Sequence, residues 1–201
     1  MLVLIKGAGD LATGAAVRLY RAGIPVVMTE VAQPTAVRRT VAFSQCMYDG
    51  AAQVEGISAR RAEDAGAARR ALERGEVPVL CDPEAAILRE LPFDGVVDAI
   101  LAKRNLGTAI TDAPVVLALG PGFTAGVDCH GVVETMRGHD LGRLLTRGSA
   151  APNTGVPGDV GGYTTQRIIR APADGAFEPL AAIGQRVEEG QPVARVAGRT
   201  A

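Results

Sequence analysis

The chain has no tryptophan, and its four phenylalanines and three tyrosines make up only 3% of 201 residues. With so few rings there is no platform on which nucleic-acid bases could stack, and no basic stripe accompanies them. The 21 basic and 22 acidic residues leave a net charge of −1, so no global field argues for a polyanionic partner. Lysine is almost absent: Lys6 and Lys103 are the only two, and arginine carries the rest of the positive charge. Three scattered cysteines, Cys46, Cys81 and Cys129, form no Cys-x-x-Cys pair. That count argues against a disulfide framework and for reduced thiols in a cytosol. No apolar run is long enough to span a bilayer, and the apolar start lacks a basic flank and the length of a signal core. The expectation is a soluble cytoplasmic protein that engages neither membrane nor nucleic acid. What is present, 47% apolar and 21% charged residues, is the composition of a globular protein with one substantial core and room for a small module.

The densest signal lies at the start. Leu2 to Ile5 is an apolar run too short for a helix, and it leads into Lys6-Gly-Ala-Gly-Asp-Leu-Ala-Thr-Gly14. Leu11, Ala12, Ala15, Ala16 and Leu19 then recur at helical spacing, with Gly23 where a C-terminal cap belongs. Pro25 to Thr29 reads as a second buried strand ending at Glu30. Strand, glycine turn, helix and strand is the context a nucleotide fingerprint requires. Gly7 would make the tight turn, Gly9 would admit a phosphate to the backbone, and Ala12 would stand for the third glycine. The N–H groups of Gly9 to Leu11 would face that phosphate, and Glu30 falls where a ribose acceptor is expected. Asp10 sets a carboxylate at the mouth of this site, where it would repel a pyrophosphate or, more plainly, cap the helix.

Further along, Arg38 and Arg39 follow the second strand and could reach a phosphate or carboxylate. Val54 to Ser58 reads as a strand and Ala62 to Arg74 as an amphipathic helix ended by Gly75. Val77 to Cys81 is another strand, with Cys81 expected as a small buried hydrophobe. Asp82-Pro83-Glu84 has the chemistry of a helix start. Gly95 to Ile100 and Pro114 to Leu119 complete an alternation that argues for a Rossmann-like, mostly parallel sheet with helices on both faces.

A second concentration of chemistry follows. Lys103, Arg104 and Asn105 leave one strand, and the glycine loop Gly120-Pro-Gly-Phe-Thr-Ala-Gly126 leaves the next. Gly120, Gly122 and Gly126 can take left-handed conformations that aim N–H groups at an anion, although Pro121 removes one donor. Asp128, His130, Glu134 and His139 lack the tight spacing of a zinc site, and no metal is expected. His130 could serve as an acid or base, or simply be hydrogen-bonded in the structure. Both glycine loops should emerge on one sheet edge. A site between them would have Lys103, Arg104, Asn105, Thr124 and His130 on one wall and Glu30, Arg38 and Arg39 on the other.

Composition suggests a first domain over 1–147, a Gly/Pro-rich linker or lid over 148–166, and a small β module over 167–201. Strand–turn–strand readings over Ile168–Phe177 and Ile183–Val193 resemble half of a biotinyl/lipoyl-type barrel-sandwich. Such carriers need a hairpin lysine, and none follows Lys103, so covalent biotin or lipoate is excluded. Few large apolar residues and open strand edges suggest that this module pairs with a second copy or leans on the first domain, so a homo-oligomer is possible.

These motifs, together with Thr29-Glu-Val-Ala-Gln-Pro-Thr35, Arg38-Arg-Thr40, Ala102-Lys-Arg-Asn-Leu-Gly-Thr108, Glu134-Thr-Met-Arg-Gly-His-Asp140 and Pro152-Asn-Thr-Gly155, resemble the YqeB family of accessory proteins in selenium-dependent molybdenum hydroxylase systems. The resemblance implies a second half of the β module in family members. It also implies a role in maturing a molybdenum hydroxylase client, with provision or insertion of selenium at the molybdenum cofactor. Molybdopterin carries a phosphate, which suits two anion-directed loops. Two other readings stay open: an NAD(P)-dependent oxidoreductase using Gly7, Gly9 and Glu30, and a non-catalytic scaffold for protein interaction.

Overall fold

In the computed structural model, which describes all 201 residues, the first apolar run forms β1 (Val3–Lys6) and the helical pattern after it forms α1 (Asp10–Arg21). β2 (Val26–Glu30) lies parallel to β1 in the register Val3↔Val26 to Lys6↔Thr29. Next come the one-turn helix α2 (Cys46–Asp49) and the antiparallel hairpin β3 (Ala51–Val54) and β4 (Ile57–Ala62). The α3 helix (Ala65–Glu73) crosses to β5 (Val77–Cys81), which inserts between β4 and β2. The chain then returns to the other side of β1 with β6 (Gly95–Asp98), and continues outward through β7 (Val115–Leu119), β8 (Gly131–Val133) and antiparallel β9 (Leu144–Leu145). The nine-stranded order is β3-β4-β5-β2-β1-β6-β7-β8-β9, parallel from β4 to β8. The sequence order therefore turns back at β1.

Contact clustering separates two compact units, Met1–Asn153 and Thr154–Ala201. In the first, both sheet faces are covered, which is why its central strands read as continuous apolar runs. Val3, Ile5, Met28 and Val79 pack with Ala12, Ala16 and Val17 of α1 on one face. Leu4, Val27, Leu80 and Val96 pack with Ala65 and Ala68 of α3 on the other. Small residues on both helices let them lie close to the sheet. Residues 148–153, although rich in turn formers, join this unit: Ala150 is in the core, and the Ala151 N–H donates to Glu134 Oε2 at 2.7 Å.

Four local readings need correction. The expected strand over Val54–Ser58 is the turn of a hairpin, because Glu55 and Gly56 both take positive φ (49° and 81°), the pair that a two-residue type I′ turn demands. The helix expected from Ala62 begins at Ala65, where the Asp64 side chain accepts the Ala67 N–H at 2.7 Å and so fixes the cap. Asp82 does cap the following segment, accepting from the N–H groups of Ala86 and Ile87. The segment is nevertheless a single 3-10 turn, Ala86–Arg89, since Ala85 takes a left-handed conformation that breaks helical continuity. Cys81 is exposed at the end of β5; Cys46 and Cys129 are the buried thiols.

The second unit has a three-stranded antiparallel sheet of β10 (Phe177–Pro179), β11 (Ala194–Val196) and β12 (Arg199–Thr200). Its strands fall mostly outside the two expected units. Residues 183–193 hold no strand but two turns within irregular backbone, where the Gln185 and Gln191 side chains accept the N–H groups of Ala182 and Glu188. Only Ala194 and Val196 are buried there; Ile169, Phe177, Leu180, Ile183 and Val187 are exposed. The apolar residues that suggested strands therefore do not make a core, and hydrogen-bonded turns set the shape.

Glu134 is the buried polar anchor at the end of the first unit. Oε1 accepts the Met136 N–H and Oε2 the Ala151 N–H, each at 2.7 Å. Burial alone would raise its pKa, but the N–H groups of Ala151, Met136 and Thr135 outweigh this and hold it below the usual carboxylate value. Its contribution to stability is thus fully present above the unfolded-state pKa and fades as pH falls through the lower folded value. Glu134→Gln, which must leave one of these N–H groups without an acceptor, should cost about 1–3 kcal/mol at neutral pH. Urea unfolding at several pH values should show that gap closing as acid is added; a constant gap would rule out the ionised clamp.

Candidate functional site

The strand order turns back between β1 and β6, and open α/β sheets bind ligands beyond the carboxyl ends of their strands at such a point. Gly7, immediately after β1, has φ +92°, and a Cβ placed on it would lie 3.0 Å from both the Ala99 carbonyl oxygen and Ile100 Cα. It is glycine because the backbone after β6 comes this close. Gly9, the N-cap of α1, has an ordinary extended conformation (φ −65°, ψ −176°), and nothing lies within 4 Å of where its side chain would be. The open space there belongs to a cavity of about 380 Å³ lined by Gly7, Gly9, Asp10, Glu30, Thr35 and Ile100 among others.

Three groups of contacts hold the residues around this cavity. Glu30 accepts the Ala8 N–H through Oε2 (3.0 Å) and the Val31 N–H through Oε1 (2.8 Å), clasping the glycine turn to the end of β2. Buried Thr13 donates to the Ala8 carbonyl and accepts the Phe43 N–H, while the Ser44 N–H also reaches the Ala8 carbonyl. Across the mouth, Arg38 pairs with Asp10 Oδ2 at 2.5 Å, and Asp10 Oδ1 accepts the Leu11 N–H. Asp10 thus supplies its own anion to the start of α1.

The second glycine loop meets the same segment from the other side. A Cβ on Gly120 (φ +79°) would lie 2.6 Å from Thr135 Oγ1 and 3.2 Å from Leu101 Cδ2. One on Gly122 (φ +108°) would lie 2.6 Å from the Arg104 backbone nitrogen and Cα. Ala99 to Arg104 is therefore gripped between the loops that leave β1 and β7. Within it Leu101 and Lys103 take positive φ (60° and 63°), strained for residues with a Cβ. A buried trio holds the far side: Lys6 Nζ donates to Thr108 Oγ1 (2.6 Å), which donates to Asp98 Oδ2 (2.6 Å), with Lys6 and Asp98 4.0 Å apart. Asn105 folds the stretch between by accepting the N–H groups of Gly107 and Thr108 and donating to the Thr108 carbonyl.

The residues expected at the site thus separate. Gly7, Gly9, Asp10 and Glu30 line the cavity, and Lys103, Arg104, Gly120 and Gly122 cluster along the adjoining segment. Lys103 and Arg104 are exposed, with no ion pair or hydrogen bond from their side chains. Arg39 is likewise exposed, in a 3-10 turn, while Arg38 is committed to Asp10. Asn105 is used up inside its own loop. Thr124 meets Ser149 through its hydroxyl and Asp128 through its N–H, and Gly126 turns back on Cys129. His130 is set apart, because its Nδ1 accepts the Val116 N–H beside the amino end of β7, opposite to the strand ends that frame the cavity. No three of His, Cys, Asp or Glu gather closely enough to hold a metal ion. Lys6, Asp98 and Thr108 are the polar residues that pattern reading passed over. The signal available was a lysine at the end of one apolar strand and an aspartate at the end of another, which pair in register as Lys6↔Asp98.

The two glycines of the first turn make opposite predictions. Gly7→Ala forces a Cβ into the Ala99–Ile100 backbone at a positive φ, and should cost more than about 2 kcal/mol in denaturant unfolding. Gly9→Ala should unfold like the wild type. Thiol titration adds a chemical check: Cys46 is pushed up to about 12 by burial, so among these thiols Cys81 should react first in the native protein.

No protein-family model and no solved structure matches the chain. No helix is long and apolar enough to cross a membrane. The chain is 54% identical over 193 residues, 96% of its length, to a protein of Escherichia coli (strain K12) described as "Uncharacterized protein YqeB". It spans only about a third (36%) of that relative's length. Over the part compared, the chain is a homologue of YqeB, in agreement with the resemblance that its motifs carry.

Proposed function

We propose that the Met1–Asn153 unit is Rossmann-like and binds a phosphate-bearing small molecule in the cavity between the Gly7–Gly9 turn and Ala99–Leu101. On this reading the protein is an accessory factor in maturing a selenium-dependent molybdenum hydroxylase, with molybdenum cofactor or a precursor of it as cargo. The observation that carries the binding step is the cavity itself. It lies where the strand order turns back, it has the volume of a small-molecule site, and Gly9 opens onto it without any packing reason to be glycine. The maturation role draws its support from the motif resemblance and from the YqeB homologue.

One observation favours a second reading, a nicotinamide dinucleotide. Glu30 ends β2, where a ribose acceptor belongs, and lines the cavity. Two observations weigh against it. Both Glu30 oxygens already receive backbone N–H groups, and Asp10 stands where the pyrophosphate would sit.

Calorimetric titration of NAD, NADP, AMP, GMP and CMP into wild type and Gly9→Val tests both readings. At least one mononucleotide should bind the wild type and lose more than about tenfold in affinity in Gly9→Val, with unchanged thermal stability. Dinucleotides binding far more tightly than mononucleotides would favour the oxidoreductase. Equal binding by the two proteins would remove the cavity from consideration. In host cells, deletion should lower the active fraction of the client hydroxylase while its polypeptide persists.

A further inference from the structure

We infer that the ligand's phosphate is held by Lys103 and Arg104 at the β6 side of the cavity, and not by the N-terminus of α1. The end of the ligand facing Asp10 and Glu30 is then a hydrogen-bond donor, such as a sugar hydroxyl or a ring N–H. This assignment rests on the cavity being the binding site.

The β1–β2 side of the cavity presents two carboxylates where a phosphate would come to rest, and two of its N–H groups already serve them. The Ala8 N–H of the glycine turn points to Glu30, and the Leu11 N–H at the start of α1 points to Asp10. Arg38, the cation nearest that helix start, neutralises Asp10. A phosphate brought there would face two carboxylates and would have to take Arg38 away from one of them. Those carboxylates retain acceptor capacity, since each oxygen can take more than one donor.

The other side is arranged in the opposite sense. The cavity wall Ala99–Ile100–Leu101 runs directly into Lys103 and Arg104, whose cationic ends are exposed and unpaired. The backbone that presents them is not a loose loop. It is gripped by Gly7 and Gly122, strained at Leu101 and Lys103, and pinned by the Lys6–Thr108–Asp98 trio, whose members are no more than 3% exposed. Strained backbone persists only where surrounding contacts over-determine it, and such positions concentrate at ligand sites. A rigid edge spares the cost of ordering backbone when its two cations bind an anion, whereas cations on a mobile loop would incur it.

The test uses the full chain, with AMP, adenosine and inorganic pyrophosphate as probes. Arg104→Gln and Lys103→Gln should each weaken AMP binding about ten- to a hundredfold, leave thermal stability unchanged, and reduce its dependence on salt. Adenosine should lose little in either variant, and Arg104→Lys should recover part of the AMP affinity. Asp10→Asn should weaken adenosine and AMP alike. AMP binding that is abolished by Gly9→Val, untouched by Arg104→Gln and Lys103→Gln, and tightened by Asp10→Asn would place the phosphate at α1; that result would overturn the inference and keep the cavity. If no probe binds the wild type, or Gly9→Val binds as well as wild type, the cavity reading falls and this assignment falls with it.

Discussion

Gly7 and Gly122 approach one short piece of backbone from opposite sides, and most of what can be said about the site depends on that contact. Neither position has room for a methyl group, because Ala99–Ile100 lies against one and Lys103–Arg104 against the other. The segment between the glycines is consequently fixed at both ends, and it tolerates left-handed conformations at Leu101 and Lys103. Strain of this kind costs of order 1–3 kcal/mol per residue and needs compensation nearby. The buried Lys6–Thr108–Asp98 trio supplies it, since the Thr108 hydroxyl joins a lysine from β1 to an aspartate from β6 and draws the loop down onto the sheet. Removing Lys6 or Asp98 from this trio would leave the other as an uncompensated buried charge.

Much of this architecture was legible beforehand. The strands β1, β2, β5, β6 and β7 were readable as apolar runs because both sheet faces are covered, and α1 was readable from the spacing of its small residues. The convergence of the two glycine loops followed from topology alone, as loops leaving parallel strands emerge on one edge. What escaped was whatever depended on single backbone conformations. Ala85 in a left-handed conformation reduced a well-capped helix start to one 3-10 turn, and Glu55-Gly56 hid a hairpin inside an apparent strand. Residues 99–114 have no periodicity to read, because Asn105, Thr108 and Asp98 organise them through side-chain hydrogen bonds.

The site residues divided along the same line. Gly7, Gly9, Asp10 and Glu30 were picked out by motif and line one cavity, whereas Gly120, Gly122 and Gly126 are not part of its lining. His130 was drawn into the proposed site by chemistry rather than geometry. One β-strand rise of about 3.3 Å per residue, over the length of β7, carries it to the other end of the sheet. The second unit failed for a different reason. Its apolar residues suggested buried strands, yet Ala194 and Val196 alone are buried, and side-chain amides and turns do the work that a core does elsewhere. Pattern reading assumes that apolar residues are inside, which is a one-way rule.

If the phosphate is held as proposed, the charged residues of the cavity and of the segment after it give the site a direction. Glu30 and Asp10 lie on the β1–β2 side, Glu30 receiving two backbone N–H groups and Asp10 one. Lys103 and Arg104 follow the β6 wall in the chain, exposed and with no ion pair to neutralise them. A ligand with an anionic end and a donor end gains charge-assisted contacts in one orientation. Reversed, it sets its anion against two carboxylates and leaves two cations unused. Because a charge-assisted contact is worth about 1.5–3 kcal/mol, even one such difference fixes orientation by roughly a factor of ten or more. A neutral or cationic ligand would gain no such preference. On the proposed reading, the arrangement selects for polarity within the ligand as well as for its size.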